Sequence, residues 1–158
     1  MIETKSIYCL CTECRNLFDC QFIDICGGEI YTCPVFDCEG WFIEIDGRLV
    51  DAVNALNECG YELINIYFGT HKKASLFFKG EYNFETLPEG FSFCHHYMAT
   101  NKPIYETELY YYLDEEFLDM GFTDDDLIRI AKSINKWIVT DILQKKVTSI
   151  LSDISSMF

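Results

Sequence analysis

Basic side chains are scarce in this sequence of 158 residues. It carries 12 Lys and Arg against 26 Asp and Glu, which gives a formal net charge of −14. Binding to naked DNA or RNA depends on clustered Lys and Arg that displace counterions, so we expect no direct nucleic-acid binding. A basic protein surface is the better electrostatic match for such a chain.

A long apolar run and a secretory signal are also missing. No 18 apolar residues follow one another, so we expect no membrane-spanning segment. Residues 1–5 do not begin a basic stretch followed by an apolar one, so we expect no signal peptide. Nine Cys without such a signal indicate a reducing compartment, where thiols bind metal or lie buried more often than they form disulfides. The expected location is the cytoplasm.

The motifs of common enzyme classes are absent as well. There is no Gly-rich phosphate loop, no nucleophile elbow and no H-E-x-x-H. Cys94, His95 and His96 invite a catalytic or second-metal interpretation, but adjacent residues of an extended chain point to opposite faces, and no acidic partner is fixed nearby in sequence. We therefore expect no enzyme, with a small Cys/His-dependent hydrolase or transferase as an alternative.

The apolar pattern predicts an α+β fold in three regions. These are a zinc-binding segment at 1–40, a small β-α-β-β unit packed on it at 41–93, and a helical region at 94–158. In the middle region, alternation predicts strands at 41–46, 61–68 and 74–79, and helical spacing predicts a helix at 48–59.

Helices are predicted for the last region. Residues 106–120 have helix length and stop at Gly121. Thr123 is a predicted N-cap followed by three acids, which suit the positive end of a helix dipole. From Leu127 an apolar stripe continues to the C-terminus, too long for one average helix, so we expect two helices or a bend near 140–147.

Seven of the nine cysteines lie before Gly40, and four of them form two pairs. Cys11 and Cys14 make a C-x2-C pair, and Cys33 and Cys38 make a C-x4-C pair about twenty residues later. Two such pairs supply the four corners of a tetrahedral zinc site. Because four thiolates leave no open position, the expected zinc is structural.

Other ligand sets and other interpretations stay open at this point. Cys9, Cys20 or Cys26 can replace one of the four cysteines, and His95 or His96 can complete the set. The thiols can also be merely buried, or hold an iron–sulfur cluster, since four cysteines bind those too.

An acidic, tyrosine-rich stretch lies between Pro103 and Ile128. It holds nine acids and no Lys or Arg. Most charge runs are solvated helix faces, but uncompensated acids repel one another, and tyrosine is enriched at binding hot spots. We expect residues 105–126 to contact a basic protein. The predicted contact residues are Tyr105, Glu106, Glu108, Tyr111, Tyr112, Asp114, Glu115, Glu116 and Asp119.

Five short segments within residues 5–93 form a recognisable set. They are Cys33-Pro34, Phe42 with Glu44-Ile45-Asp46, Leu56-Asn57, Gly60-Tyr61 and Leu87-Pro88-Glu89-Gly90-Phe91. The set resembles a family of small zinc-ribbon proteins of Firmicutes and their phages, which implies a zinc-ribbon fold. Members usually carry Cys-Cys-x-Gly-His after the second strand, whereas this chain has Tyr67-Phe68-Gly69-Thr70-His71 and lacks both cysteines. In size and charge the whole chain also resembles the acidic anti-CRISPR proteins that phages encode.

Together these features predict a phage-derived protein that acts inside a host cell by binding another protein. The expected partner is a basic host protein, namely a nucleic-acid-guided CRISPR nuclease (Cas9-like), whose nucleic-acid channel the acidic surface blocks. The alternatives are a zinc-ribbon adaptor or regulator of the host transcription machinery, and the small Cys/His enzyme.

Overall fold

Two antiparallel sheets and a C-terminal helical segment make up the fold. The computed structural model describes residues 7–19, 33, 35, 37–40, 42–68, 73–99, 101, 103–112 and 121–157. The strands are β1 Ile7–Cys11, β2 Leu17–Asp19, β3 Phe42–Asp46, β4 Leu63–Phe68, β5 Lys73–Lys79, β6 Ser92–Met98 and β7 Ile104–Tyr112. The α-helices are α1 Val50–Glu58, α2 Asp124–Trp137 and α3 Leu143–Ser156, with a 3₁₀ turn at Gly47–Leu49 and a π-helical turn at Ile138–Ile142. The predicted α+β class is confirmed.

The smaller sheet has the order β2-β1-β3 and carries the first cysteines. β1 and β2 form a hairpin in which Cys9 lies opposite Phe18, and β3 runs antiparallel along the other side of β1. The boundary predicted at residue 40 therefore falls within one sheet, because β3 pairs with β1 and not with β4 or β5. The predicted strand, helix, strand and strand of residues 41–79 are all present.

The larger sheet has the order β4-β5-β7-β6, and its two faces differ in the side chains they carry. In β5, Ala74, Leu76 and Phe78 are buried and point to the core, while Phe77 between them is half-buried on the other face. This alternation follows from the two-residue period of a strand. The second face of this sheet is called the outer face below.

One apolar core joins both sheets to the helices. Phe84 joins the larger sheet to α2, because its ring centroid lies 5.6 Å from that of Phe78 in β5 and 5.6 Å from that of Trp137. Leu10 and Ile45 bring the smaller sheet into the same core.

The helix start predicted at Thr123 is confirmed in detail. The Thr123 hydroxyl accepts a hydrogen bond from the backbone amide of Asp126, and the Asp126 carboxylate accepts one from the backbone amide of Thr123. This reciprocal pair is a capping box. The long apolar segment forms two α-helices, α2 and α3, as one of the two expectations had it, and the π-helical turn at Ile138–Ile142 joins them.

The helix predicted at 106–120 is wrong for residues 106–112. Residues 106–112 belong to strand β7, and residues 113–120 lie outside the described residues. The region 94–158, predicted to be helical, accordingly begins with two strands. The sequence alternates here: positions 105, 107, 109 and 111 are Tyr, Thr, Leu and Tyr. Aromatic and β-branched residues at every second position suit a pleated, half-buried strand.

Candidate metal centre

Four cysteine side chains converge at the end of the smaller sheet. Cys11 ends β1, Cys14 lies in the turn after it, and Cys33 and Cys38 come from the segment before β3. The Sγ atoms of Cys11 and Cys38 are 3.6 Å apart, and so are those of Cys14 and Cys33. All four Sγ atoms lie within 4.8 Å of one another.

These separations fit four ligands of one metal ion better than two disulfides. A disulfide requires about 2.05 Å between sulfurs, and all four cysteines are free. Thiolates at the corners of a tetrahedron, each about 2.3 Å from a central zinc, are about 3.8 Å apart. The four cysteines therefore lie close enough to bind a metal ion.

Tight turns in the backbone bring the members of each pair together. After Cys11, Arg15 adopts a left-handed conformation with φ of 63°, and its amide donates to the Cys11 carbonyl at 3.1 Å. In the second pair, Asp37 has the same φ of 63°, and the Cys38 amide donates to the Val35 carbonyl at 3.1 Å. A left-handed residue reverses the chain within a few residues, as close cysteines require.

Glu13 and Gly40 lie where the two cysteine pairs meet, and each contacts the other pair. The Glu13 carboxylate accepts a hydrogen bond from the Glu39 amide at 3.0 Å and lies 3.7 Å from Cys38 Sγ. A Cβ on Gly40 would collide with Cys11 Sγ and lie 2.9 Å from the Cβ of Glu13. A residue larger than glycine would thus push into the cysteine cluster.

The pKa values of the Cys14 and Cys33 thiols are shifted in opposite directions. Burial raises the pKa of Cys33 to about 12. Burial also acts to raise the pKa of Cys14, but hydrogen bonds, chiefly from the Asn16 backbone amide, outweigh it and bring that pKa to about 7. The Asn16 side chain adds a donor 3.3 Å from Cys14 Sγ. A bound cation is the ordinary means of holding such thiols deprotonated together.

The four cysteines predicted as zinc ligands, Cys11, Cys14, Cys33 and Cys38, lie close enough together to bind one metal ion. Cys9, a possible substitute, lies in β1 outside this group. The other two possible substitutes, Cys20 and Cys26, lie outside the described residues. The contacts of Glu13 and Gly40 with the cysteine cluster were not predicted from the sequence, although the position of Gly40, two residues after Cys38, was a visible signal.

His95 and His96 lie in β6, away from the four cysteines. The Nε2 atom of His95 is 2.8 Å from the Tyr82 carbonyl oxygen. Cys94 and His96 share one face of β6, as the alternation predicts, and the acid missing from the local sequence is Glu108 of β7. Burial and the Glu108 carboxylate raise the pKa of Cys94, which is opposite to the shift of an activated nucleophilic thiol.

The predicted partner-contact residues fall into three groups. Tyr105 and Tyr112 are about half exposed and Glu106 is partly exposed. Tyr111 and Glu108 are engaged within the fold, since the Tyr111 ring packs on Phe91 and Glu108 is buried. The remaining predicted contacts, Asp114, Glu115, Glu116 and Asp119, lie outside the described residues.

The apolar stripe of the last helix is exposed along α3. Val147, Ile150, Leu151 and Ile154 have 46% to 58% of their surface accessible, although they lie at the spacing of one helix face. Across the part of the chain that the structure covers, no helix combines the length and apolar character that a membrane crossing needs.

Comparison of the chain with protein-family models, with curated proteins and with solved structures finds no match.

Proposed function

We propose that Cys11, Cys14, Cys33 and Cys38 bind a structural zinc ion. Zinc takes four thiolates in a tetrahedron, and the sulfur separations of 3.6 Å are close to those of such a site. Four protein ligands leave no position for water or substrate, so the metal supports the fold and performs no hydrolysis.

Elemental analysis of the purified protein tests this assignment. We expect zinc bound by the four cysteines, and loss of that zinc in Cys11→Ser and Cys33→Ser. Cys59→Ser is the matched control, because Cys59 is a half-buried free cysteine outside the cluster. Undiminished zinc in both ligand variants, or iron with bound sulfide instead of zinc, would contradict the proposal.

We further propose that the protein is an inhibitor that binds another protein through an acidic surface. The expected target is a nucleic-acid-guided CRISPR nuclease (Cas9-like), whose basic nucleic-acid channel attracts a chain with a net charge of −14. The proposal includes a phage origin and action within the host cell.

One structural observation supports a continuous contact surface. The two described ends of the acidic stretch, at β7 and at the start of α2, lie side by side: the rings of Tyr111 and Phe122 are 6.5 Å apart. Arg129, which pairs with Asp126 at 3.1 Å, also reaches the Tyr111 hydroxyl at 3.5 Å. The exposed Tyr112 and Asp125 belong to these two adjoining ends.

Charge reversal within this stretch tests the electrostatic basis of binding. The triple variant Glu115→Lys, Glu116→Lys, Asp119→Lys should bind the purified guide-loaded nuclease at least about tenfold more weakly, with a flatter dependence on salt, because fewer charges attract the partner. The control is Glu81→Lys, Glu89→Lys, Asp153→Lys, which changes the net charge equally at exposed positions elsewhere. Equal affinity of the two triple variants would contradict the assigned surface.

A competition assay tests the function itself. The protein should prevent the guide-loaded nuclease from binding and cutting target DNA. Absence of binding to the nuclease would overturn the proposal, and binding to the host RNA polymerase instead would identify a transcription adaptor.

A further inference from the structure

Three potential metal ligands meet on the outer face of the larger sheet. Cys94 and His96 are two residues apart in the edge strand β6, and Glu108 lies opposite Cys94 in β7. Cys94 Sγ is 3.4 Å from His96 Nε2 and 3.9 Å from Glu108 Oε1, and Nε2 is 2.9 Å from the same Oε1. One sulfur, one nitrogen and one oxygen thus form a compact triangle.

The Glu108 carboxylate is held in place by residues that leave Oε1 for this triangle. Its other oxygen, Oε2, accepts a hydrogen bond from the Ser75 hydroxyl at 2.6 Å and one from Lys73 Nζ at 3.1 Å. Only 6% of the Glu108 side chain is exposed, and Ser75 is buried. A carboxylate ligand of a metal is typically fixed by such outer hydrogen bonds.

We propose that Cys94, His96 and Glu108 bind a second zinc ion, separate from the four-cysteine centre. With zinc at ordinary distances of about 2.0 Å from nitrogen and oxygen and about 2.3 Å from sulfur, the three separations correspond to angles of about 90° to 130° at the metal. The donors are a thiolate, an imidazole and a carboxylate, all of which zinc accepts.

The fourth position of this site is open to solvent. The His96 side chain is 45% exposed, and β6 is the edge strand of its sheet. Three protein ligands with a fourth position for water or an anion are typical of exchangeable or catalytic zinc, whereas four thiolates are typical of structural zinc. The second ion should therefore exchange and be chelated more readily than the first.

The geometry distinguishes a metal site from a catalytic Cys-His-Glu set. In such a set, one imidazole nitrogen faces the sulfur and the other faces the carboxylate. Here the same atom, His96 Nε2, is the closest nitrogen to both Cys94 Sγ and Glu108 Oε1. Donor atoms that converge on one point suit a cation between them.

Metal titration of the full-length protein tests the proposal, with Zn²⁺ for stoichiometry and Co²⁺ as the spectroscopic probe. We expect two equivalents per chain, and one equivalent in Cys94→Ser and His96→Gln. The matched control is His95→Gln, which alters the neighbouring histidine and should keep both equivalents. The charge-transfer absorption between thiolate and Co²⁺ for the second equivalent should disappear in Cys94→Ser. Circular dichroism checks that each variant folds.

A milder variant tests the outer hydrogen bond. Ser75→Ala leaves all three ligands in place and should weaken the second equivalent by about 10- to 100-fold while the first keeps its affinity. One equivalent in the wild-type protein would overturn the proposal. So would a second equivalent that survives unchanged in Cys94→Ser and His96→Gln, because surface carboxylates would then be binding the metal.

Discussion

The two sheets of this molecule are stabilised in different ways. The larger sheet is covered on one face by the helices, and Leu76, Phe78 and Leu109 lie fully within its core. The smaller sheet contributes Leu10, Ile43 and Ile45 to that core, while its far end consists of polar turns around four cysteines. Where few apolar side chains are available, metal ligation can supply the folding free energy that burial supplies elsewhere.

Among the described residues, the shared core and polar links join the two sheets. Arg15, in the turn of the first cysteine pair, donates to the Leu63 carbonyl of β4 and forms an ion pair with Glu62 at 3.2 Å. Such links orient the smaller sheet but add little stability on their own. We therefore expect the smaller sheet to depend on its metal and the larger sheet to be largely independent of it.

Removal of the metal should have the largest effect. In Cys11→Ser, or after chelation, the amides of β1, β2 and β3 should lose protection against hydrogen exchange, while those of β5 and β7 keep it, because their burial needs no metal. Hydrogen exchange read by mass spectrometry measures both in one sample. The control is Cys59→Ser. Simultaneous loss of protection in both sheets would contradict the comparison.

A cavity in the larger sheet should have the next largest effect. Leu109→Ala truncates a fully buried side chain and should lower the free energy of unfolding by about 2–5 kcal/mol. Below the unfolding temperature, the four-cysteine centre should keep its metal affinity, since Leu109 makes no part of it. Denaturant titration and metal competition check the two expectations. A matching loss of metal affinity would mean that the sheets fold as one unit.

A single methyl group at Gly40 should weaken the metal centre. Gly40→Ala places a Cβ against Cys11 Sγ and Glu13, and overpacking of this kind costs about 1–3 kcal/mol. Zinc competition with a chelator should show a metal affinity lower by about tenfold or more. Gly60→Ala is the control, because φ of +86° strains alanine there while no atom lies within 4 Å of the added Cβ. It should reduce stability and leave the metal affinity unchanged.

Sequence patterns predicted local features, such as the two cysteine pairs, better than the pairings between distant strands. The spacing of Cys11 and Cys14 and of Cys33 and Cys38 was sufficient, because each pair closes its own turn. The acid beside Cys94 could not be found in this way, because Glu108 reaches it only through the register of β6 and β7.

The wrong helix at 106–120 has a related cause. Length and a following Gly121 favoured a helix, while the two-residue alternation across Tyr105 to Tyr111 signalled a strand. The deciding factor is tertiary, since β7 pairs with both β5 and β6 in the middle of a sheet. The exposure of the stripe on α3 is likewise set by what packs on it, which its spacing cannot show.

The smallest expected effect concerns the start of α2, at the edge of the larger unit. Thr123→Ala removes the hydroxyl that accepts from the Asp126 amide and should lower the free energy of unfolding by about 1 kcal/mol at neutral pH. Thr140→Ala is the matched control, because the exposed Thr140 hydroxyl donates to the Lys136 carbonyl within the helical segment and caps no helix start, and alanine is the better helix former.

The contribution of this cap to stability should depend on pH, and that dependence distinguishes the Asp126 carboxylate from the Thr123 hydroxyl. Hydrogen bonds from the Thr123 amide, aided by the Thr123 hydroxyl, lower the pKa of Asp126. A carboxyl with a lowered folded pKa contributes stability that is full above the ordinary Asp pKa of about 3.9 and is lost as the pH falls through the folded value. Asp126→Asn should remove this acid-dependent part, while Thr123→Ala should retain most of it because the backbone amide still donates. Denaturant titrations between neutral and acid pH distinguish the two variants. If the free energy of unfolding depends on pH in the same way in the wild type and in Asp126→Asn, the Asp126 carboxylate makes no acid-dependent contribution to stability and the prediction is wrong.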